Sequence, residues 1–288
     1  MILPRFELIE PTTVEEVFNI LQKRENAKVI AGGTDLLVNM KRKVIVADTV
    51  ISISKIPGLN ELSFSNEAGL TIGSMVRIAD INVSPIINIH YPGLATAAGR
   101  LGSPQIRNRA TIGGNICSAR PAADMAGPLV AYKAVAVIAT TNGMKEEPIE
   151  KLFKGPGQTT LGKGEFITAF RIKVPEKNTG ICYIKYGIRH AMEIALVSVT
   201  SLVVMDNNTC HSAKVVLGAV APTFIHAPKT EEFLTGKVIS EPVVEQAGDI
   251  ASQECSPITD VRASADYRRQ LVRVLTKRTI SEAVAHYS

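Results

Sequence analysis

Two short segments carry the residue types best suited to holding an anion: Ala31-Gly32-Gly33-Thr34-Asp35 and Thr111-Ile112-Gly113-Gly114-Asn115. Adjacent glycines leave backbone N–H groups uncovered, and these converge on a phosphate because no Cβ blocks the approach and positive φ costs little. Thr34 and Thr111 add hydroxyl donors. Either segment alone reads as an ordinary tight turn. Two of them, each with a threonine and a polar neighbour, read as a cradle for pyrophosphate. Neither fits G-x-G-x-x-G, so a Rossmann-type nicotinamide site is not expected, and a dinucleotide would need a different fold.

Other segments are weaker candidates. Gly157-Gln158-Thr159-Thr160-Leu161-Gly162-Lys163 matches the first seven positions of a P-loop, but Gly164 stands where the magnesium-binding Ser or Thr belongs. The following residues, Phe166 to Val174, alternate like a strand and do not open a helix, so the match is a decoy. Asp124 follows the second glycine segment within Pro121–Pro128. A carboxylate repels pyrophosphate, so its ligand partners would be ribityl or ribose hydroxyls or a ring N–H. It equally suits the N-cap of a helix running to Tyr132. Lys185 could neutralise cofactor or substrate charge across an interdomain cleft, or sit on a solvated strand paired with Glu193.

Four cysteines, Cys117, Cys182, Cys210 and Cys255, lie far apart with no C-x-x-C pair, and no histidine stands at zinc-ligand spacing from them. Histidines 90, 190, 211, 226 and 286 show no metal spacing, and no G-x-S-x-G or comparable nucleophile motif occurs. No metal ligand and no catalytic acid, base or nucleophile is assigned.

These residues need elements to position them. Thr12 with Glu15 reads as a capping box, after which Val14, Val17, Phe18 and Leu21 recur at helical spacing to about Lys23. Val29-Ile30-Ala31 reads as a short buried strand stopping at Gly32-Gly33, which puts both glycines at a strand end. Further β-like runs fall at Val50–Ile53, Gly69–Gly73 and Ala134–Thr140, interleaved with helical stretches near Arg77–Ile81 and Gly93–Leu101. This is an α+β pattern, not a regular βαβ alternation. A strand-like run from Glu165 ends at Pro175, and the polar stretch Glu176–Gly180 reads as a linker, dividing the chain into residues 1–176 and 177–288. Three β-like runs follow at Ile181–Tyr186, Leu196–Met205 and Lys214–Ala219, then helices from Glu241 and from Asp266. On the last helix Arg268, Arg269, Arg273, Lys277 and Arg278 are expected on a solvated basic face, with Tyr267, Leu271, Leu275 and Val284 on the core stripe.

Length and composition agree with two ordinary folded domains: 288 residues, 45% hydrophobic and 20% charged. A net charge of +5, no Trp and 5% aromatics leave few stacking platforms for bases, so nucleic acid is not an expected partner, while an anionic cofactor is compatible. No run of eighteen apolar residues occurs, and Pro4 and Glu7 interrupt the start where a secretory signal has its apolar core. The expected location is the cytoplasm.

Taken in order, Ala31–Leu37, Ser103-Pro104-Gln105-Ile106-Arg107-Asn108 and Thr111–Asn115 resemble the successive flavin-loop motifs of the FAD subunits of molybdenum hydroxylases. The resemblance extends over essentially the whole chain, since Lys185–Val197 resembles the family's K-x-x-x-R-x-x-x-D-I-A element, with Glu193 in place of the usual Asp. Within the family, Phe153–Gly157, Gly218–Thr223 and the tail from Arg262 to Ala285 look most similar to the FAD subunit of bacterial three-subunit xanthine dehydrogenases. The carbon monoxide dehydrogenase or aldehyde oxidoreductase branch stays open, as do a free-standing flavoprotein oxidase and a scaffold that has lost FAD. The cysteine-bearing insertion of the benzoyl-CoA reductase branch is missing.

The resemblance implies a vanillyl-alcohol-oxidase-like (PCMH-type) FAD-binding domain, then a small domain of three-stranded antiparallel sheet with helices. It implies a large partner carrying molybdopterin and a small partner carrying 2Fe-2S clusters, with NAD+ or another acceptor receiving the electrons. Pyrophosphate and ribityl contacts would fall on Lys28, Val29, Ile30, Ala31, Gly32, Gly33, Thr34 and Asp35 and on Thr111, Ile112, Gly113, Gly114 and Asn115. Asp124, Phe166 and Lys185 would lie nearer the ring or ribose.

Overall fold

The computed structural model describes residues 2–189 and 192–287, so His190 lies outside the described residues. Strand β1 (Glu7–Ile9) leads into helix α1 (Val14–Lys23). The cap is Thr13, whose Oγ1 accepts from Glu16 N at 3.2 Å, while Glu16 Oε2 accepts from Thr12 N at 2.7 Å. The capping box therefore sits one residue later than the Thr12–Glu15 expectation. Thr12 and Thr13 are each followed three residues on by Glu, and in the register taken Glu16 also holds the Thr12 amide. Then come β2 (Ala27–Ile30), α2 (Leu36–Lys41) and β3 (Thr49–Ser52), which close a parallel sheet of order β1-β3-β2. Because β2 stops at Ile30, Gly32 and Gly33 fall in the turn that opens α2.

A second, antiparallel sheet begins with β4 (Leu62–Ser65) and β5 (Gly69–Gly73). Short helices follow: α3 (Ile78–Val83), α4 (Pro85–His90), α5 (Pro92–Arg100), α6 (Pro104–Arg107), α7 (Ile112–Cys117) and α8 (Ala126–Ala131). The chain returns through β6 (Val135–Thr140), β7 (Gly143–Pro148), a 3-10 turn at Ile149–Leu152 and the hairpin β8 (Phe153–Gly155) and β9 (Gln158–Thr159). Strand β10 (Phe166–Ile172) then enters the middle of the sheet, giving the order β4-β5-β10-β6-β7. A strand, not a helix, thus follows the P-loop look-alike. The sheet buries Leu70, Ile72, Ile138 and Phe170 against Ile78, Tyr91, Leu94 and Leu129 of the helices.

The third sheet contains β11 (Thr179–Tyr186), β12 (Val197–Asp206) and β13 (Thr209–Gly218). These are the three long antiparallel strands expected, joined at one edge by a two-residue fourth, β14 (Ile225–His226). Helices α9 (Pro228–Leu234), α10 (Glu241–Gln253) and α11 (Ala265–Ala285) complete this half, with Val199, Val203 and Leu217 of the sheet in one core with Leu271, Val272 and Leu275. β12 is buried along its length up to Asp206. Its Leu202 and Val204 belong to the core of the first half, so the two halves share one continuous interior.

Helix α11 departs from the sequence expectation at two positions. Arg268 is buried, its Nη1 donating to Leu196 O at 2.6 Å and its Nη2 to Asp260 Oδ1 at 2.9 Å. Residues 268, 271, 272 and 275 share one helical face, so Arg268 rides on the core stripe. Tyr267 is turned outward, with its hydroxyl 3.2 Å from that of Tyr186. Arg269, Arg273 and Lys277 pair with Asp266, Asp249 and Glu245, so much of the basic face is met by the chain's own acids.

The halves are also tied by His226, whose Nδ1 lies 2.8 Å from Glu231 Oε1 and whose Nε2 lies 3.0 Å from Glu150 Oε2. Both ring nitrogens can donate only in the imidazolium form. Hydrogen bonding to Glu231 is the main cause that raises the histidine above its ordinary 6.5, with burial and then the nearby Lys214 opposing. A raised folded-state pKa contributes stability that is complete below 6.5 and is lost as pH rises through the folded value. Chemical denaturation from about pH 6 to 9 should show the wild type losing about 0.5 kcal/mol relative to His226→Gln, a small figure because the cluster is partly solvated. Parallel pH profiles for the two proteins would show that the cluster carries no such linkage.

Candidate functional site

A cleft of about 540 Å³ lies between the β2–α2 turn, the start of α7, the β9–β10 connection and residues 192–194. Its size falls in the range of small-molecule and cofactor sites. Gly32 lets the β2–α2 turn press against the chain at Arg109, where a Cβ would stand 2.0 Å from the Arg109 carbonyl oxygen, and Gly33 takes a φ of +76°. Among the described residues, the backbone N–H groups of Gly32, Gly33, Thr34 and Asp35 find no acceptor, and Asp35 does not cap α2 with its side chain. Such unspent donors in a row suit a phosphate.

The second glycine segment is built differently. Thr111 Oγ1 caps α7 by accepting from Gly114 N at 3.1 Å, while Ile112 N donates to Val76 O and Gly113 N to Ser74 O. The amides of Ile112 to Asn115 are therefore spent, Asn115 N donating to Thr111 O. What the segment offers is the Thr111 hydroxyl proton, the Asn115 side-chain amide and a bare Gly114 surface, where a Cβ would lie 4.0 Å from that of Ala31. Beneath it Ser74 Oγ is buried with no hydrogen-bond partner among the described residues. An unspent buried hydroxyl is costly and rare.

Of the residues singled out from the sequence, Val29, Ile30, Ala31, Gly32, Gly33, Thr34 and Asp35 line the cleft on one side. Thr111, Gly113, Gly114, Asn115 and Phe166 line it elsewhere. Lys28 does not, because strand alternation turns it to solvent when Val29 faces inward. Ile112 is buried in the core.

Asp124 and Lys185 also lie off the cleft wall and bind each other. Lys185 Nζ stands 2.9 Å from Asp124 Oδ1 and 3.0 Å from Oδ2, with both side chains buried, and Tyr183 Oη donates to Asp124 Oδ1 at 2.7 Å. Burial pushes the Asp124 carboxyl up and the Lys185 charge pulls it back. Asp124 caps nothing, since α8 is preceded by Met125 without a side-chain cap bond. Lys185 does not reach Glu193, whose charged partner is Arg189. The network touches the site indirectly: Asn115 Oδ1 accepts from Met125 N at 3.2 Å, and Lys185 Nζ donates to Arg100 O at 3.3 Å, just before the cleft residues Leu101 and Gly102.

Sequence reasoning missed other lining residues, among them Ser74, Arg120, Gly157 and Glu165. Gly157 belongs to the P-loop look-alike and reaches the rim because its N donates to Ala119 O at 2.8 Å. No group of His, Cys, Asp and Glu among the described residues could hold a metal ion, and none of their helices is long and apolar enough to cross a membrane. The unspent amides, the open Gly114 face and the unpartnered Ser74 hydroxyl fit an elongated anionic dinucleotide.

Residues 4–176 match the model of the FAD binding domain in molybdopterin dehydrogenase, and residues 183–283 match the CO dehydrogenase flavoprotein C-terminal domain. The chain belongs to the FAD-binding subunits of the molybdenum hydroxylase family. It is 31% identical over 274 residues to a putative xanthine dehydrogenase FAD-binding subunit of Escherichia coli (strain K12), covering 95% of this chain and 94% of that one. It is 30% identical over 281 residues to the glyceraldehyde dehydrogenase medium chain of Sulfolobus acidocaldarius, covering 97% and 98%. Among solved structures, carbon monoxide dehydrogenase from Hydrogenophaga pseudoflava superimposes with a TM-score of 0.96 at 32% identity, over 100% of both chains.

Gly114 and Gly32 separate ligand space from packing space. In Gly114→Val the new side chain meets Thr111 Oγ1 at 3.2 Å and otherwise enters the cleft, so apoprotein stability should change little while FAD affinity falls at least about tenfold. Gly32→Ala should instead destabilise the fold by on the order of 2 kcal/mol or more, because its Cβ would collide with backbone. Flavin titration and denaturation of both variants check this. Wild-type FAD affinity in Gly114→Val would make the second segment structural only.

Proposed function

We propose that this chain is the electron-transfer subunit of a molybdopterin-dependent xanthine or purine dehydrogenase, holding FAD between a large molybdopterin subunit and a small 2Fe-2S subunit. The observation that carries the reading is the row of unspent N–H groups from Gly32 to Asp35 facing the Thr111–Asn115 segment across one cleft. Residues 1–176 would form the FAD unit and 177–288 the C-terminal unit, working in the cytoplasm.

In this reading the β2–α2 turn binds the pyrophosphate through its amides, and Thr111 and Asn115 donate to it or to the ribityl hydroxyls. Phe166, 5% exposed, gives the cleft an apolar wall that excludes water. Asp124 and Lys185 orient the walls from behind, and Lys28 contributes at most backbone. When bound, FAD supplies a carrier that accepts electrons from 2Fe-2S clusters and passes them to NAD+. The chain's own residues supply position and electrostatics, and none acts as acid, base or nucleophile.

Carbon monoxide dehydrogenase is a second reading, favoured by the superposition on the Hydrogenophaga enzyme. The isolated chain should yield FAD on acid extraction and no stoichiometric molybdenum or iron. The assembly with both partners should form NADH from NAD+ with xanthine, and the isolated chain should not. A colourless chain would sink the flavin reading, while an assembly active only on carbon monoxide or aldehydes would remove the purine assignment and keep the relay.

A further inference from the structure

Arg120 is the one lysine or arginine among the described residues that line the cleft. It follows α7 through Ala119, held at a φ of +46°. The ion pairs that engage arginines among the described residues all involve others. Its Nη1 lies 3.8 Å from where a Cβ on Gly157 would stand, so no side chain at 157 crowds the guanidinium.

The other charges in the cleft are carboxylates, and two of these are already compensated. Glu165 is 2.9 Å from Lys145 Nζ and accepts from Gly162 N at 2.8 Å. Glu193 accepts from Ile194 N at 3.0 Å and faces Arg189 Nε at 3.7 Å. Asp35 and Arg120 are then the two charges in the cleft wall without an ion-pair partner among the described residues. Asp35 adjoins the unspent amides and repels a phosphate, so binding there needs a cation to offset it. Arg120 lines the same cleft as the Gly32–Asp35 turn and the Thr111–Asn115 segment, so its charge bears on an anion held there, and added salt, with a Debye length of about 10 Å at 0.1 M, should weaken it.

We propose that Arg120 is the specificity residue by which the cleft takes a phosphorylated flavin in preference to an uncharged one, attracting the phosphates that Asp35 repels. The inference rests on the FAD reading above and adds the residue that discriminates by charge. An arginine that served the fold alone would affect all flavins equally.

The test titrates full-length apoprotein with FAD and with riboflavin, for wild type, Arg120→Gln, Arg120→Glu and Arg120→Lys, at low and at high salt. At low salt the Kd for FAD should rise about fivefold in Arg120→Gln and more than about tenfold in Arg120→Glu, and high salt should shrink both differences. Arg120→Lys should stay near wild type, and riboflavin should bind all four proteins alike. Arg120 is exposed, so the melting temperatures of the apoproteins should agree. Wild-type FAD affinity in Arg120→Glu, or an equal loss of FAD and riboflavin, would overturn the proposal. A wild type that binds neither flavin would overturn the FAD reading as well, so the two failures are told apart by the wild-type titration.

Discussion

One buried ammonium organises the walls of the cleft. Lys185 and Asp124 are 4% and 7% exposed, and their contact joins strand β11 to the turn after α7. Removing either partner would strand a buried charge at a cost of about 3–5 kcal/mol, whereas an apolar pair of similar volume would be close to neutral. The value of the pair therefore lies in placement. Through Asp124 it fixes the turn whose Met125 amide holds Asn115, and through Arg100 O it fixes the end of α5, where Leu101 and Gly102 begin the opposite wall. Tyr183 completes the set, its phenol pushed up by burial and by Asp124, so it remains a donor.

Two segments of similar sequence end with different chemistry because different elements hold them. The β2–α2 turn follows a strand of a small parallel sheet and packs backbone to backbone against Arg109 and Ala110 through Gly32. Its amides have nothing left to bond. The Thr111 segment opens a helix, so its hydroxyl caps Gly114 N and the amides of Ile112, Gly113 and Asn115 pair with Val76, Ser74 and Thr111 carbonyls. One segment presents donors and the other presents room, as a bulky anion pressed between two surfaces requires.

Much of this was legible in the sequence, for local reasons. Gly32 and Gly33 stop a strand because both neighbouring periodicities break there, and Gly69–Gly73 appears as a strand with the bounds that its alternation suggests. What stayed hidden depended on distant partners. Nothing near Lys185 in the chain announces Asp124, sixty-one residues away, in preference to Glu193. Arg268 looked like one more cation on a basic helix, yet residues 271, 272 and 275 carry its face inward, where Leu196 O and Asp260 await it. Ser74 follows a strand with no motif around it, and only the return of β10 beside β5 and the packing of Gly113 against it make it part of the cleft wall.

The continuous interior has a consequence for how such a subunit works. Leu202, Val204 and Val216 of the third sheet sit in the same core as Tyr91, Leu94 and Leu129 of the first half. Sliding one half over the other would expose this apolar surface, at roughly 25 cal/mol for each Å². Residues 192–194 reach the cleft from the second half, so their distance from the glycine segments is held by that core and by the Lys185 contact together. In the proposed relay such rigidity is an advantage, because electron transfer through a bound carrier needs fixed distances and no substrate-driven closure. The same reasoning accounts for a polar inventory spent on anchoring: among the described residues the buried carboxylates Asp124 and Glu231 are each held by protein donors on both oxygens.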